Sequence, residues 1–396
     1  MFRREQFKVL RERLLEPRNK IQVIAGPRQV GKSTLVKQVL KDINLPFTLG
    51  SGDDVDKNNS LWIPELWDSA RARLKLSGKK EHILVIDEVH KINNWSEQIK
   101  RLWDEDSFND LNLKLVILGS SRLLLKDGLT ESLAGRFEMI RMPHWSFKEM
   151  NEAFGWTIEQ FVYFGGYPGS AEFIKDETRW RNYIKDSIIT PAIAKDILLT
   201  KTIYKPELMK RLFELGASYS GEELSFNKIL GQLQDKGNVT TLANYLTTLG
   251  EAQLLGGLQK FSNAEIRKYN SSPKMMVYNT ALLSALMNKS FEKIYTSPSE
   301  WGRWVESSVG AHLLNHADEN DLKIYYWRHR NDEVDFIMEK NDQLIGIEVK
   351  SGRREKNDGM FEFTKIYEPK LMLTVGASTF PLEDFLKINP SELFNI

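Results

Sequence analysis

The sequence predicts an α/β protein of several domains, and three observations carry this. A glycine-rich loop ending in Gly31-Lys32-Ser33 follows a short apolar run and opens a helical stretch. Apolar bursts alternate with helical patterns through the first third of the chain. Near the C-terminus, strict alternation of apolar and polar residues reads as a β-hairpin with acidic residues on one face. At roughly 100–200 residues per domain, 396 residues suit two to four domains. The organisation expected is a nucleotide-binding α/β core over 1–145, a helical lid over 146–204, a winged-helix-like unit over 205–272 and a second α/β domain over 273–396.

Composition narrows the function classes. Fifty-five Lys and Arg against 54 Asp and Glu leave a net charge of +1, so attraction to nucleic acid or anionic lipid must come from a local patch. Cysteine is absent, which removes disulfides, thiolate catalysis and Cys-ligated zinc, and suits a reducing compartment. The first twenty residues are charged throughout, unlike a secretory signal, and no apolar run approaches membrane length. A cytoplasmic protein with no membrane partner is expected. The six histidines lack metal-ligand spacing, so zinc is not expected.

Residues 2–15 form an amphipathic segment with Phe7, Leu10 and Leu14 on one helical face. Apolar runs at Ile21–Ala25, Pro46–Leu49, Ile83–Ile86, Leu113–Leu118 and Phe137–Arg141 read as five buried parallel strands with helical crossovers. Gly26-Pro27-Arg28-Gln29-Val30-Gly31-Lys32-Ser33 joins the first strand to the helix that begins at Thr34, matching the phosphate loop G-x-x-x-x-G-K-[ST] in its required context. The glycines let backbone N–H groups converge on phosphate oxygens, and the helix N-terminus adds partial positive charge. Lys32 suits the β- and γ-phosphates of ATP, and the Ser33 hydroxyl suits Mg²⁺.

Ile83-Leu84-Val85-Ile86-Asp87-Glu88 places two carboxylates at a strand's carboxyl end, where open α/β sheets bind ligands. Asp87 suits the Mg²⁺ ion, and Glu88 suits activation of the attacking water. Ser120 or Ser121, after the fourth strand, is placed either to touch the γ-phosphate or to cap a helix. Arg136 is either an arginine finger for a neighbouring subunit's γ-phosphate or a surface ion pair.

In this order, the phosphate loop, Asp87-Glu88, Gly119-Ser120-Ser121 and Gly135-Arg136 resemble the Walker A, Walker B, sensor 1 and arginine-finger positions of AAA+ ATPases. Asp87-Glu88-Val89-His90-Lys91 with Trp95, Leu133-Ala134-Gly135-Arg136-Phe137 and Gly165-Gly166-Tyr167-Pro168 look like one prokaryotic branch of that superfamily. In that branch an AAA+ domain precedes a C-terminal domain of unknown function. The resemblance covers essentially the whole chain. It implies ATP hydrolysis and a ring-forming homo-oligomer, with a hexamer as the first expectation.

The middle of the chain shows three helical patterns between Leu208 and Leu258. Val239, Leu242, Leu246 and Leu249 mark the third, and Leu254–Gln259 with Ile266–Tyr269 suit a two-stranded wing. Helix, turn, helix and wing is a DNA-docking layout. Residues 201–270 nevertheless carry nine Lys and Arg against seven Asp and Glu. That is a small excess for a DNA-binding module, and a helical packing unit explains the pattern equally well.

Val334 to Lys350 folds as a hairpin if Asn341-Asp342 are its two turn residues, which sets opposed positions to sum to 683. Val334, Phe336, Met338, Ile345, Ile347 and Val349 then share one face. Asp335 opposes Glu348 on the other, beside Lys350. Opposed carboxylates repel, and Mg²⁺ or Mn²⁺ would offset the repulsion. Asp335…Glu348-Val349-Lys350 resembles the PD-(D/E)XK nuclease core, a restriction-endonuclease-like fold. Glu306, in the helical stretch Glu300–Leu314, matches its upstream acid, and a later strand is expected at Lys370–Val375. The resemblance implies a metal-dependent DNA-cleaving site, in a fold that also occurs without cleavage. Together these readings describe an ATP-driven protein that binds and remodels or translocates DNA, branched DNA included. The alternative is a nucleotide-dependent regulatory or defence switch that binds a protein partner and does not cut.

Overall fold

The structure is a computed structural model and describes residues 1–119, 129, 132–198, 203–233, 238–262, 271–350, 358–376 and 380–396. The chain forms two compact units, Met1–Pro143 and His144–Ile396.

The first unit contains α1 (Gln6–Leu15), β1 (Ile21–Ala25), α2 (Lys32–Ile43), β2 (Phe47–Ser51), α3 (Trp62–Leu76), β3 (His82–Asp87), α4 (Trp95–Phe108), β4 (Leu113–Gly119) and β5 (Phe137–Arg141). The amphipathic N-terminal segment is helical as expected, and Phe7, Leu10 and Leu14 are its buried face. The strands form one sheet in the order β2-β3-β4-β1-β5, with every neighbouring pair parallel. Helices cover both faces of such a sheet, so its inner strands β3, β4 and β1 are buried almost throughout, whereas the outer strands β2 and β5, expected as buried, are mostly half-buried or exposed. In β1 all five residues are buried. Pairing of Ala25 with Gly119, and of Asp87 with Leu118, aligns the carboxyl ends of β1, β4 and β3.

In the second unit, helices Phe147–Phe154 and Ile158–Phe164 each begin with a capping box, Ser146/Glu149 and Thr157/Gln160. The three middle helices are Pro206–Ser218, Phe226–Leu233 and Val239–Glu251. The Gly165-Gly166-Tyr167-Pro168 motif has a packing cause. A Cβ at Gly165 would lie 2.0 Å from Asn279 Oδ1, and one at Gly166 would lie 2.1 Å from the Trp145 carbonyl oxygen. Asn279 Oδ1 accepts from the N–H groups of Gly166 (3.0 Å) and Ala281 (3.1 Å), joining the loop to the start of helix Thr280–Met287.

The remaining strands are β6 (Leu255–Lys260), β7 (Lys274–Val277), β8 (Lys323–His329), β9 (Asp332–Lys340), β10 (Gln343–Lys350) and β11 (Leu371–Gly376). They form one sheet in the order β11-β10-β9-β8-β6-β7. β6, expected as the first wing strand, thus pairs with β7 and continues into the C-terminal sheet through Gln259–Tyr325 and Lys260–Tyr326. The second expected wing strand, Ile266–Tyr269, lies outside the described residues. The sheet therefore runs across residue 272, and one apolar core extends from Phe147 to Phe394.

The hairpin has the expected register. Lys340 pairs with Gln343, Met338 with Ile345 and Phe336 with Ile347. Asn341 and Asp342 both adopt positive φ, 48° and 61°, as a two-residue turn of type I′ requires. Val334 departs from the expected face. Two steps along β8, Tyr325 to Trp327, meet three along β9, Ile337 to Val334. That β-bulge reverses the alternation next to Asp335. Val334 therefore packs with Ile337 and Phe363, while Phe336, Met338, Ile345 and Ile347 enter the main core.

Candidate functional site

The first site lies at the carboxyl ends of β1 and β3. Gln29 and Gly31 both have left-handed backbone, φ 63° and 93°, which curls the loop between β1 and α2. Gly26 is required by a close approach, because a Cβ there would fall 2.1 Å from the carbonyl oxygen of Met142. Val30 is fully buried and anchors the loop, whereas Ser33 and Thr34 are exposed at the first turn of α2. Arg4 also holds the loop, donating to the carbonyls of Val30 (3.4 Å) and Pro143 (3.0 Å). Sequence reading missed Arg4, whose role depends on residues distant in the chain.

The Lys32 ammonium is buried and donates to the carbonyls of Gly26 (2.9 Å) and Pro27 (2.8 Å). The Ser33 hydroxyl donates to Asp87 Oδ2 at 2.9 Å. The two residues assigned to Mg²⁺ thus come together from separate elements, both offering oxygen. Oxygen is the ligand type Mg²⁺ takes, and that ion usually uses few protein ligands together with phosphate oxygens. The fit is good.

Glu88 follows in left-handed conformation, φ 51°, with its N–H donating to the Leu118 carbonyl. Burial pushes its carboxyl above the usual range, with Asp87 adding to the shift and Lys32 opposing it. His90 Nε2 lies 3.3 Å from Glu88 Oε2. Burial, then Lys91 and Arg28, push the His90 imidazole down to about 4. At neutral pH it is therefore an uncharged neighbour of Glu88. Sequence reading passed over His90 because a lone histidine after two acids has no metal spacing.

Ser120 and Ser121 lie outside the described residues. Arg136 forks onto the Asp104 carboxylate, Nε at 2.8 Å and a terminal nitrogen at 2.9 Å. This is the surface ion pair that was one of its two readings, formed within the same chain.

The second cluster lies in the other unit. Glu306 comes from the helix Pro298–Asn320, Glu333 and Asp335 from β9, and Glu348 and Lys350 from β10. The Val349 N–H donates to Asp335 Oδ2 at 2.7 Å, and Lys350 Nζ donates to Glu348 Oε1 at 2.5 Å. Burial pushes the Glu306 carboxyl up to about 7, with Asp335 adding and Lys274 opposing. Burial and then Asp335 bring the Glu348 carboxyl to about 7. The β9–β10 ladder ends at Phe336–Ile347, one pair short of the expected Asp335–Glu348 opposition, yet Asp335, Glu348 and Lys350 share one electrostatic neighbourhood and Glu306 joins them.

Sequence reading missed the centre of this cluster. Lys274, on β7, has a side chain only 1% exposed. Its Nζ lies 2.6 Å from Glu306, 3.4 Å from Glu333 and 3.6 Å from Asp335. Burial alone would lower its pKa, but the three carboxylates more than reverse this and hold the ammonium charged. Among the described residues, no group of three or more His, Asp or Glu side chains is arranged to hold a metal ion. No helix among them is long and apolar enough to cross a membrane.

The first unit, with its parallel sheet, phosphate loop and Asp87-Glu88 pair, is an AAA-type P-loop ATPase domain. Residues 18–151 match the family model described as an AAA domain. Residues 155–293 and 301–394 match two domains of unknown function, DUF8612 and DUF4143. An uncharacterized protein of Methanocaldococcus jannaschii is 24% identical over 377 residues, which is 87% of this chain and 78% of that one. An uncharacterized protein of Haemophilus influenzae is 22% identical over 347 residues, 83% and 82% of the two chains. Among solved structures, the Thermotoga maritima RuvB Holliday junction branch migration motor is similar at a TM-score of 0.31 and 20% identity, over 63% of this chain and 85% of that one. The Aeropyrum pernix ORC1 protein in complex with DNA gives a TM-score of 0.31 and 12% identity, over 74% and 94%.

Proposed function

We propose that the chain hydrolyses ATP and uses the turnover to bind and remodel, or move along, DNA, branched DNA included. The observation that supports ATP hydrolysis most directly is the convergence of Lys32, Ser33, Asp87 and Glu88 at the carboxyl ends of β1 and β3. The loop N–H groups and Lys32 bind the phosphates, with Lys32 exchanging its carbonyl partners for phosphate oxygens. Ser33 and Asp87 would hold Mg²⁺, which supplies neutralisation of phosphate charge. Glu88 orients the attacking water and accepts its proton. In this reading the chain works as a homo-oligomeric ring, a hexamer first, and Arg136 leaves Asp104 to serve a neighbouring subunit.

The DNA part of the proposal is supported by the resemblance of Asp335…Glu348-Val349-Lys350, on the adjacent strands β9 and β10 beside the parallel strand β11, to the nuclease core. The expected Mg²⁺ or Mn²⁺ at Asp335 and Glu348 does not fit the residues as arranged, because the Lys274 ammonium already lies among the carboxylates. We therefore derive no cleavage step, and the grip on DNA in this reading lies outside the acidic cluster, which would repel phosphate. The same lysine, with a net charge of +1, favours a second reading: a nucleotide-dependent switch that binds a protein partner and does not cut.

ATP turnover measured with single-stranded, duplex, flapped and four-way DNA separates the two. Stimulation by any of them supports action on DNA. Turnover unchanged by all four, with no retained binding, removes the DNA reading and leaves the switch.

A further inference from the structure

The C-terminal carboxylates invite a cation from two directions. Glu306, Asp335 and Glu348 gather in a mostly buried space with the more exposed Glu333 at its margin, and among the described residues Glu348 Oε2 is buried without a hydrogen-bond partner. Buried carboxylates in such number must be paired, coordinated or protonated. Yet the cation already present belongs to the chain itself.

We propose that Lys274 is the resident cation of this site, an ammonium that stands in place of the divalent ion its carboxylates would otherwise bind. This rests on the reading of Asp335 and Glu348 as a cation-binding pair. An ammonium has three donors and no acceptor. Lys274 Nζ donates to Glu333 Oε1 at 3.4 Å and to the Asp335 carbonyl at 3.5 Å, and it forms ion pairs with Glu306 Oε1 at 2.6 Å and Asp335 Oδ1 at 3.6 Å. The Phe336 ring, 5.3 Å from Nζ, adds its π-face. Three carboxylates surround this one ammonium.

Charge counting gives the same result. Four carboxylates against Lys274 and Lys350 sum to −2 when all are ionised, and removing Lys274 leaves −3. A hard divalent ion needs oxygens at about 2.0–2.1 Å, and at that range it cannot share Glu306 and Asp335 with the ammonium. The lysine also comes from residues 155–293, while the acids it neutralises lie in 301–394, so one matched domain supplies the cation for the other's carboxylates. The cation-free carboxylate site of the second domain therefore exists only where the first does not insert its lysine.

The test uses the full chain without nucleotide, with Mn²⁺ as the probe, read by calorimetric titration and by the thermal unfolding midpoint. The parent and Lys274→Arg, which keeps the charge, are expected to show no Mn²⁺ binding that depends on Asp335. Lys274→Met, which keeps the length without the charge, is expected to gain Asp335-dependent Mn²⁺ binding, on the order of 10²-fold or more above any uptake by the parent. Its midpoint should rise with Mn²⁺ and not with chelator, and Lys274→Met/Asp335→Asn should lose the gain. If Lys274→Met folds only with Mn²⁺, the proposal is supported directly. Should it fold in neither buffer, Lys274→Met/Glu306→Gln, which keeps the site at −2, is read for the same binding. Asp335-dependent Mn²⁺ binding in the parent, as tight as in Lys274→Met, overturns the role of Lys274 and leaves the cation-pair reading standing. No binding in the parent, in Lys274→Met or in the double variant overturns both.

Discussion

His90 Nε2 lies 3.3 Å from Glu88 Oε2, and both side chains are largely buried. The histidine, pushed down to about 4, is neutral in the folded state at pH 7. Unfolded, it titrates near 6.5. Between those values the unfolded chain binds more protons, so stability rises with pH. The His90 contribution is fully present above about 6.5 and is lost as pH falls toward 4. His90→Asn should flatten that part of the profile. Calorimetric midpoints of parent and variant across pH 4–7.5 check this, and parallel profiles would count against a buried neutral imidazole.

Lys32→Ala should abolish tight ATP binding, because it removes the ammonium that neutralises the β- and γ-phosphates. Glu88→Gln should bind ATP and stop turnover, since Ser33 and Asp87 survive while proton acceptance does not. Equilibrium binding beside single-turnover hydrolysis separates the two outcomes. Hydrolysis at the parent rate in Glu88→Gln would remove Glu88 from the mechanism.

Arg136 and Asp104 form a fork that makes the two roles of Arg136 separable. A finger acting on a neighbour's phosphate is worth on the order of 10³-fold or more in rate, whereas an exposed ion pair contributes roughly 0–1 kcal/mol of stability. If Arg136 is a finger, Arg136→Ala loses turnover and keeps ATP binding, while Asp104→Ala, which frees the arginine, does not slow it. Mixing Arg136→Ala with Lys32→Ala subunits should restore part of the activity, since a mixed ring contains intact interfaces. Equal, small effects of both alanines, with no rescue in mixtures, would reduce the pair to a surface salt bridge.

The parts of the fold that were legible in the sequence are those set by local chemistry. β1 has the bounds that its apolar run predicts, because a doubly covered parallel strand is buried from end to end; the outer strand β5 has its predicted bounds too, although only Ile140 in it is buried. The hairpin register held because Asn341 and Asp342 accept positive φ and so fix the turn length. The phosphate loop was readable because its loop residues are contiguous. What escaped depends on distance. Lys274 lies 32 residues before Glu306 and 61 before Asp335, in a short strand, Lys-Met-Met-Val, that reads as core. Val334 changed face because a bulge has no compositional mark in β9. Arg4 and Asp104 meet their partners only through the tertiary fold.

Gly26→Ala should prevent the phosphate loop from closing, even though alanine tolerates most backbone conformations. Its Cβ would fall 2.1 Å from the Met142 carbonyl oxygen, which belongs to the backbone leaving β5 and cannot yield as a side chain can. Met142 is fixed by its own N–H bond to Ala25 at 2.8 Å. The variant should lose ATP binding and lower the unfolding midpoint together. By contrast, Gly231, with nothing within 4 Å of a Cβ, should accept alanine without either effect. Unchanged ATP affinity in Gly26→Ala would mean that the β5 backbone moves more freely than its hydrogen bonding implies.

Glu348 makes the final case, with the sign opposite to that of His90. Its carboxyl, raised by burial and by Asp335 to about 7, binds a proton more tightly folded than unfolded, where it titrates near 4.3. Between those values the native state holds more protons, so stability falls as pH rises. The penalty is absent below about 4.3 and complete above about 7. Glu348→Gln carries no charge at any pH and escapes it. The midpoint of the variant relative to the parent should therefore climb from pH 4.5 to 7.5 and then level off. The Lys350 ammonium, at 2.5 Å from Glu348 Oε1, works against this trend by favouring the charged carboxylate. Lys350→Met should accordingly steepen the parent's loss of stability. A constant difference between Glu348→Gln and the parent across that range would show that the carboxyl is ionised throughout, with Lys350 outweighing burial.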